Sequence, residues 1–184
     1  MKRCNWVYDE IHIKYHDKEW GVPLHNDRKL FEFLVLDSMQ SGLSWKIVLN
    51  KRKSFKKSFD NFDPKKVACY SEKDVKRLLS DKGIIRNRRK IESAINNAKR
   101  FLEVKKEFKT FDRYIWSFTN YKTVKGNFRK WDDIPAVTKE SQAMSADLRK
   151  RGFTFVGPTV CYAYMQTIGM ANDHLVGCFR RNQI

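Results

Sequence analysis

No apolar run in this sequence is long enough to cross a membrane, and its start, MKRCNW, lacks the hydrophobic stretch of a secretory signal. A cytoplasmic protein with no membrane partner is expected. There is no sustained alternation of apolar and polar residues, no two-residue hairpin signal and no internal repeat, which argues against a β fold or a solenoid. Cysteine is sparse, with four in 184 residues, too few for the disulfide framework of a secreted domain. Acidic residues are also in deficit: 21 Asp and Glu face 38 Lys and Arg, a formal net charge of +17. At its simplest that is a solvated basic surface, but so large an excess of one sign favours a polyanionic partner, nucleic acid above all. No basic amphipathic helix stands apart from the core pattern, so a membrane surface is the weaker alternative.

What is present is helical punctuation around a normal core. Hydrophobic residues make up 41% of the chain, enough for one compact domain over 1–184, or two lobes sharing a core. DPKKVACYS offers Asp63 as N-cap with Pro64 at the first helical position. SEKDVKRLLSDKG offers Ser71 as cap, Asp74 three residues on and Gly83 as a stop. RRKIESAINNAKRFLEVKKEF repeats its apolar residues at helical spacing, and FDRYIWSFTN reads as a shorter helix. The class expected is all-α. Residues Tyr121–Val137, with Gly126, Pro135 and a basic bias, read as a loop or linker. Cys69 and Cys161 lie in apolar helical contexts and are expected as buried reduced thiols.

Three constellations carry chemistry. The first is TKESQAMSADLRKRG followed by GFTFVG and PTVCYAYMQTIG: a helix capped by Thr138 and ended by Gly152, then one with Gly157 as cap and Gly169 as its end. This is an ordinary helix–helix corner, or else a hairpin whose second helix points its N-terminal N–H groups at a phosphate beside the cations of LRKR. The second is a split ligand set. His174 and Cys178 stand four residues apart, and Cys4 and His16 together with them make a Cys₂His₂ group suited to tetrahedral zinc. The alternative is two unrelated thiols and two surface histidines, with His12 a rival ligand and His25 a loop residue. The third is LFEFLVLDSMQSGLSW, in which Asp37 falls on the same helical sector as Leu30, Phe33 and Leu34 while Glu32 points nearly opposite. Trp6, Tyr8, Tyr15, Trp20 and Trp45 lie within the same 45 residues. Such rings are core at their simplest, but beside a buried acid they also form a slot for a planar, amine-bearing heterocycle.

RCNWVYDEIHIKYHDKEWGVP, QSGLSW, GIIRNRRKI, KRGFTFVGPTVCYAYMQTIG and NDHLVGC, in unbroken order from Arg3 to Cys178, resemble the 3-methyladenine DNA glycosylase I family of bacterial base-excision repair. The resemblance implies a two-lobed, all-α helix–hairpin–helix glycosylase fold, with the hairpin element at about 138–169 gripping a DNA phosphate through Gly152, Val156, Gly157 and Thr159. It implies one structural zinc per chain, held by Cys4, His16, His174 and Cys178 and joining segments 4–16 and 174–178. Trp6, His12, Tyr15, Asp37 and Trp45 would surround the flipped base, and Gly42 and Leu43 would press into the gap it leaves. The reaction implied is hydrolysis of the N-glycosidic bond of 3-methyladenine in double-stranded alkylated DNA by a monomer, leaving an abasic site. Asp37 is the implied catalytic acid, accepting hydrogen bonds from the adenine edge and favouring the charge of the base. The protein would be bacterial and cytoplasmic, associated with the nucleoid through DNA. Asp173 receives no catalytic role, and no lysine is expected in the cluster as a nucleophile.

This sequence departs from the family pattern at two positions: the family usually has Glu where Asp37 stands and Tyr where His12 stands. Losing one methylene retracts a carboxylate by roughly 1.5 Å, and misplacements near 1 Å can cost about 100-fold in rate. Altered lesion choice, or a non-catalytic zinc-containing DNA-binding protein on the same fold, are therefore the competing expectations.

Overall fold

The structure, a computed structural model, describes residues 1–184. Nine α-helices account for most of it: α1 Glu10–Lys18, α2 Asp27–Gln40, α3 Trp45–Ser58, α4 Pro64–Ala68, α5 Glu72–Ser80, α6 Arg88–Phe108, α7 Phe111–Trp116, α8 Lys139–Lys150 and α9 Pro158–Thr167. The starts follow the capping chemistry read from sequence. Asp63 accepts from the Lys65 N–H ahead of Pro64, Ser71 and Asp74 form a reciprocal box, and Thr138 accepts from the Ser141 N–H. The stop of α5 lies earlier than Gly83, because Asp81 leaves helical backbone and its side chain accepts the Gly83 N–H.

Helix α2 is the axis of the molecule. It packs against α3, α6, α7 and α9, and every residue from Leu30 to Met39 is buried. Glu32, on the side of α2 opposite Asp37, is buried as well. Its carboxylate is only 4% exposed and accepts from Arg52 Nε at 2.7 Å and pairs with Lys29 at 2.9 Å. Arg52 also pairs with Glu19 and lies over the Phe33 ring, so this side of α2 is covered by an ion-pair cluster rather than water. Asp37, on the apolar sector, has no such cation.

Two expectations need correction. Cys69 is exposed, because α4 is only five residues long and the chain turns at its C-cap. Cys161 is buried as expected. The segment 121–137 is a loop, as expected, but not a free linker, and the fold is mostly helical with one two-residue strand pair. Val124–Lys125 pairs in parallel with Ala171–Asn172, and Val176 N–H donates to the Phe128 carbonyl at 2.9 Å. Gly126 permits this approach, since a Cβ there would stand 2.5 Å from an Asp173 oxygen. No helix is long and apolar enough to cross a membrane.

Candidate active site and metal centre

Helix α1 contributes to two neighbouring sites. Toward α2 and α9 it contributes Tyr15 to a cavity of about 290 Å³, near the lower end of the range typical for small-molecule sites. The walls include Trp6, Tyr8, His12, Trp20, Trp45 and Trp131, with Asp37, Thr167 and Gln166 deeper in. The rings meet edgewise or tilted rather than stacked: Trp6 lies 5.1 Å from Trp20 and 6.0 Å from Trp131, and Tyr15 lies 5.4 Å from Trp45. A slot is left for another flat group.

Three of its polar atoms have no partner. The indole N–H groups of Trp6 and Trp45 and the Oδ2 of Asp37 are buried and unbonded. Such atoms each cost about 1–3 kcal/mol when left unpaired. A cavity with two orphan donors and one orphan acceptor is shaped for a ligand that supplies both. Asp37 is 3% exposed, and its other oxygen lies 3.5 Å from the Thr167 hydroxyl. Burial pushes its carboxyl well above the ordinary aspartate range, the Thr167 contact opposing this only in part.

His12 is a cavity residue and not a rival ligand for a metal. Its Nδ1 sits 2.7 Å from Asp9 Oδ1, and its ring lies 4.5 Å from Tyr8, which is exposed at the mouth. Lysine is nearer than expected, because Lys46 lines the cavity. Its ammonium pairs with Asp9 Oδ2 at 2.7 Å, which raises its pKa and keeps it protonated, the wrong state for a nucleophile. Asp173 is buried and accepts from Tyr162 Oη at 2.7 Å and Gln166 Nε2 at 2.8 Å, both of its partners supplied by the chain.

The residue after Tyr15, His16, joins a buried group with Cys4, His174 and Cys178, whose ligand atoms all lie within 4.8 Å of one another. The spacings fit a metal. Tetrahedral zinc, with bonds of about 2.3 Å to sulfur and about 2.0–2.1 Å to nitrogen, gives S–N edges of roughly 3.6 Å and N–N edges of roughly 3.3 Å. The Cys178 sulfur is 3.4 Å from His16 Nε2 and 3.5 Å from His174 Nδ1, the Cys4 sulfur is 3.8 Å from His174 Nδ1, and the two ring nitrogens are 3.2 Å apart. The outer nitrogens are also engaged, His16 Nδ1 with Asp17 at 2.7 Å and His174 Nε2 with the Trp20 carbonyl at 3.1 Å. Protons on those outer atoms leave the inner lone pairs free for a cation. Burial lowers His174 to about 4, which favours the neutral imidazole a metal needs.

A model of the methyladenine glycosylase family matches residues 5–181 of the chain. The chain belongs to the methyladenine glycosylase family. It is 47% identical over 179 residues to DNA-3-methyladenine glycosylase 1 of Escherichia coli (strain K12), covering 97% of this chain and 96% of that one. Its fold matches a crystal structure of 3-methyladenine DNA glycosylase I with a TM-score of 0.94 at 45% identity, covering 97% and 98% of the two chains. It matches the Staphylococcus aureus 3-methyladenine DNA glycosylase I, the structural basis of whose 3-methyladenine recognition has been described, with a TM-score of 0.94 at 31% identity, covering 98% and 97%.

In this family member the second large depression, about 540 Å³, lies beside the α8–α9 hairpin and is bordered by Arg89, Arg149, Thr154 and Gly157. The hairpin is held by α6. Asn97 both accepts from Thr154 N–H and donates to Thr154 O at 2.9 Å, and Asn96 donates to Gly152 O at 2.8 Å. Gly152 has φ +83 and Thr159 is exposed, whereas the Val156 side chain is buried and its carbonyl is taken by Ser145. Val156 could offer a ligand only its backbone N–H. Gly42, with φ +76, and Leu43, 38% exposed, form the turn between α2 and α3.

Sequence reasoning missed Trp131, Gln166, Thr167 and Lys90. Trp131 had a signal, the one tryptophan in a polar, basic segment. Lys90 is 7% exposed and donates to the Met39 and Ser41 carbonyls at 2.9 and 2.5 Å, tying the Gly42–Leu43 turn to α6.

Proposed function

We propose that this chain is a base-excision repair DNA glycosylase that hydrolyses the N-glycosidic bond of 3-methyladenine in double-stranded DNA, acting as a monomer and leaving an abasic site. The observation that carries this is the unpartnered Asp37 Oδ2 in a cavity walled by tryptophans. An N3-methylated adenine is cationic, so it is already a good leaving group. As the glycosidic bond breaks, its electron pair goes to the base and neutralises that charge, and water completes the product at the sugar carbon. The protein need supply extrusion and selection more than acid catalysis. Burial drives the acid toward its neutral form. An arriving cation offsets the cost of ionising it, and the exocyclic amine of adenine donates to it. Neutral adenine offers no such compensation, and a guanine lesion presents O6, an acceptor facing an acceptor.

The Cys4, His16, His174, Cys178 group is a structural zinc site. The metal, when bound, cross-links the two ends of the chain and takes no part in bond breaking, since a full set of four protein ligands leaves no open position. The helix–hairpin–helix element grips a phosphate at the α9 N-terminus with Arg149 and Arg89 beside it, and Leu43 fills the space vacated by the base. The two lobes that flank the DNA would meet along this line.

The test is release of free base from methylated duplex DNA by wild type, Asp37→Asn and Asp37→Glu. Release of 3-methyladenine by wild type and a sharp loss in the Asn variant are expected. Because Asp37 is short and His12 replaces the usual Tyr, a relative with altered lesion choice is the second reading. Release of a different methylated purine by wild type would establish it, and tight abasic-site binding with no release of any base would instead indicate a DNA-binding protein.

A further inference from the structure

The acid at the back of the cavity has a single partner in the whole protein. Thr167 closes the last turn of α9, and its Oγ1 lies 3.5 Å from Asp37 Oδ1. On its other side the same hydroxyl accepts from Tyr15 Oη at 3.2 Å. All three side chains are buried, with Tyr15 at 3%, Asp37 at 3% and Thr167 at 5% exposure. A threonine hydroxyl has one proton to give. When Asp37 is ionised it can only accept, so Tyr15 donates to Thr167 and Thr167 donates to Asp37, a directional chain joining α1, α9 and α2.

This chain decides how the carboxylate is presented. The terminal torsion of an aspartate is broad and two-fold, so burial alone does not choose which oxygen faces the cavity. One donor on Oδ1 does choose, and it leaves Oδ2 free for a ligand. The contact is long for a hydroxyl–carboxylate bond, so it orients the acid without fully satisfying it. Tyr15, a wall of the cavity, is held in register with the acid by the same atom.

We propose that Thr167 is a positioning and specificity-determining residue: its hydroxyl fixes the Asp37 carboxylate plane and the Tyr15 ring against each other, so that a cationic purine meets both at once. This inference rests on the glycosylase reading. Without the hydroxyl, Tyr15 loses the acceptor of its phenol and Asp37 Oδ1 loses its one side-chain donor.

Thr167→Val keeps the branched shape and removes the hydroxyl, while Thr167→Ser keeps the hydroxyl and removes a methyl. Two readouts apply to each: single-turnover release of 3-methyladenine from methylated duplex, and binding of free 3-methyladenine followed by tryptophan fluorescence. Val should lose on the order of 10- to 100-fold in both, comparable to other sub-ångström misplacements in active sites. Ser should recover to within about threefold of wild type, although it packs less well than Val, which a purely structural role would not produce. In an Asp37→Asn background Thr167→Val should cost less than about threefold, because its effect is exerted through the carboxylate. A Val variant as active as wild type, a Ser variant no better than Val, or an undiminished loss in the Asn background each overturns the proposal. A wild type that neither releases nor binds 3-methyladenine removes the glycosylase reading and this one with it, whereas an active wild type beside an equally active Val variant removes only this one.

Discussion

Replacing Asp37 with asparagine should make the protein more stable and less able to bind its base. The native carboxyl is 3% exposed, faces no cation, and leaves one oxygen without a partner. Burial raises its pKa well above the unfolded value. The sign follows from linkage. Below the unfolded pKa, near 3.9, the acid is neutral in both states and costs nothing extra. As pH rises the unfolded chain releases its proton first, so stability falls with a slope of at most about 1.4 kcal/mol per pH unit until the folded group ionises too. Asparagine has no proton to lose. Its advantage should be near zero at pH 4 and grow toward neutrality, to about 1–3 kcal/mol, the usual cost of a buried unsatisfied polar group. For a chain of this size that corresponds to roughly 2–12 °C in Tm. The opposite holds for function, where losing a charge-assisted hydrogen bond to a cationic base, worth about 1.5–3 kcal/mol, should weaken binding by roughly 10- to 150-fold. The assay is a pair of thermal melts from pH 4 to 8 beside titration with free 3-methyladenine. An asparagine variant less stable than wild type at pH 7, or an advantage that does not change with pH, would refute the reasoning.

Metal analysis of protein purified without chelator should give about one zinc per chain, and Cys178→Ser should lower both metal content and Tm. A serine variant that keeps both would remove the site. Affinity for undamaged duplex should fall steeply with salt, with a log–log slope of about −0.9 per phosphate contacted, and a flat response would mean the +17 charge serves something other than DNA. Lys90→Met should cost about 1–3 kcal/mol by leaving the Met39 and Ser41 carbonyls without their donor, and should reduce base extrusion more than free-base binding. Equal losses in the two assays would deny the lysine its role in holding the Gly42–Leu43 turn.

The helices were legible because their signals are local. Asp63 before Pro64, the Ser71–Asp74 box and Thr138 each act within one turn, and the structure places each at a helix start. The acid on the apolar face of α2 was legible for the same reason, since helical periodicity alone puts Asp37 among leucines. What escaped depends on contacts between distant segments. Glu32 is tolerated in the interior by Lys29, one turn before it, together with Arg52, twenty residues away, and nothing along α2 announces the second partner. Cys69 follows an apolar residue in a segment that looked helical, but a five-residue helix ends before reaching it. Thr167 and Gln166 read as ordinary residues of α9, because nothing along that helix says that Tyr15 and Asp173 will lie against them. The metal group was legible as a residue set, while its closure needed the two ends of the chain brought together.

The position of that metal group bears on the pocket more than on the core. Trp6 follows Cys4 by two residues and its ring lies 5.5 Å from His16; the Trp20 ring lies 4.6 Å from His174, whose Nε2 is bonded to the Trp20 carbonyl. Both tryptophans are cavity walls. Trp20 and Trp6 lie outside the helices that pack around α2, Trp20 within the hydrophobic core and Trp6 against its edge. Loss of the metal should therefore release the aromatic wall before the helical core melts, so that base binding fails at a chelator concentration where far-ultraviolet circular dichroism is still native. On the zinc and glycosylase readings, the four residues at the chain ends would in this sense belong to the base site. With a metal bound they would hold the N-terminal segment in place; without it that segment would be free to leave Asp37 exposed to water, where its unpartnered oxygen would be hydrated and would lose the proposed selectivity for a cation.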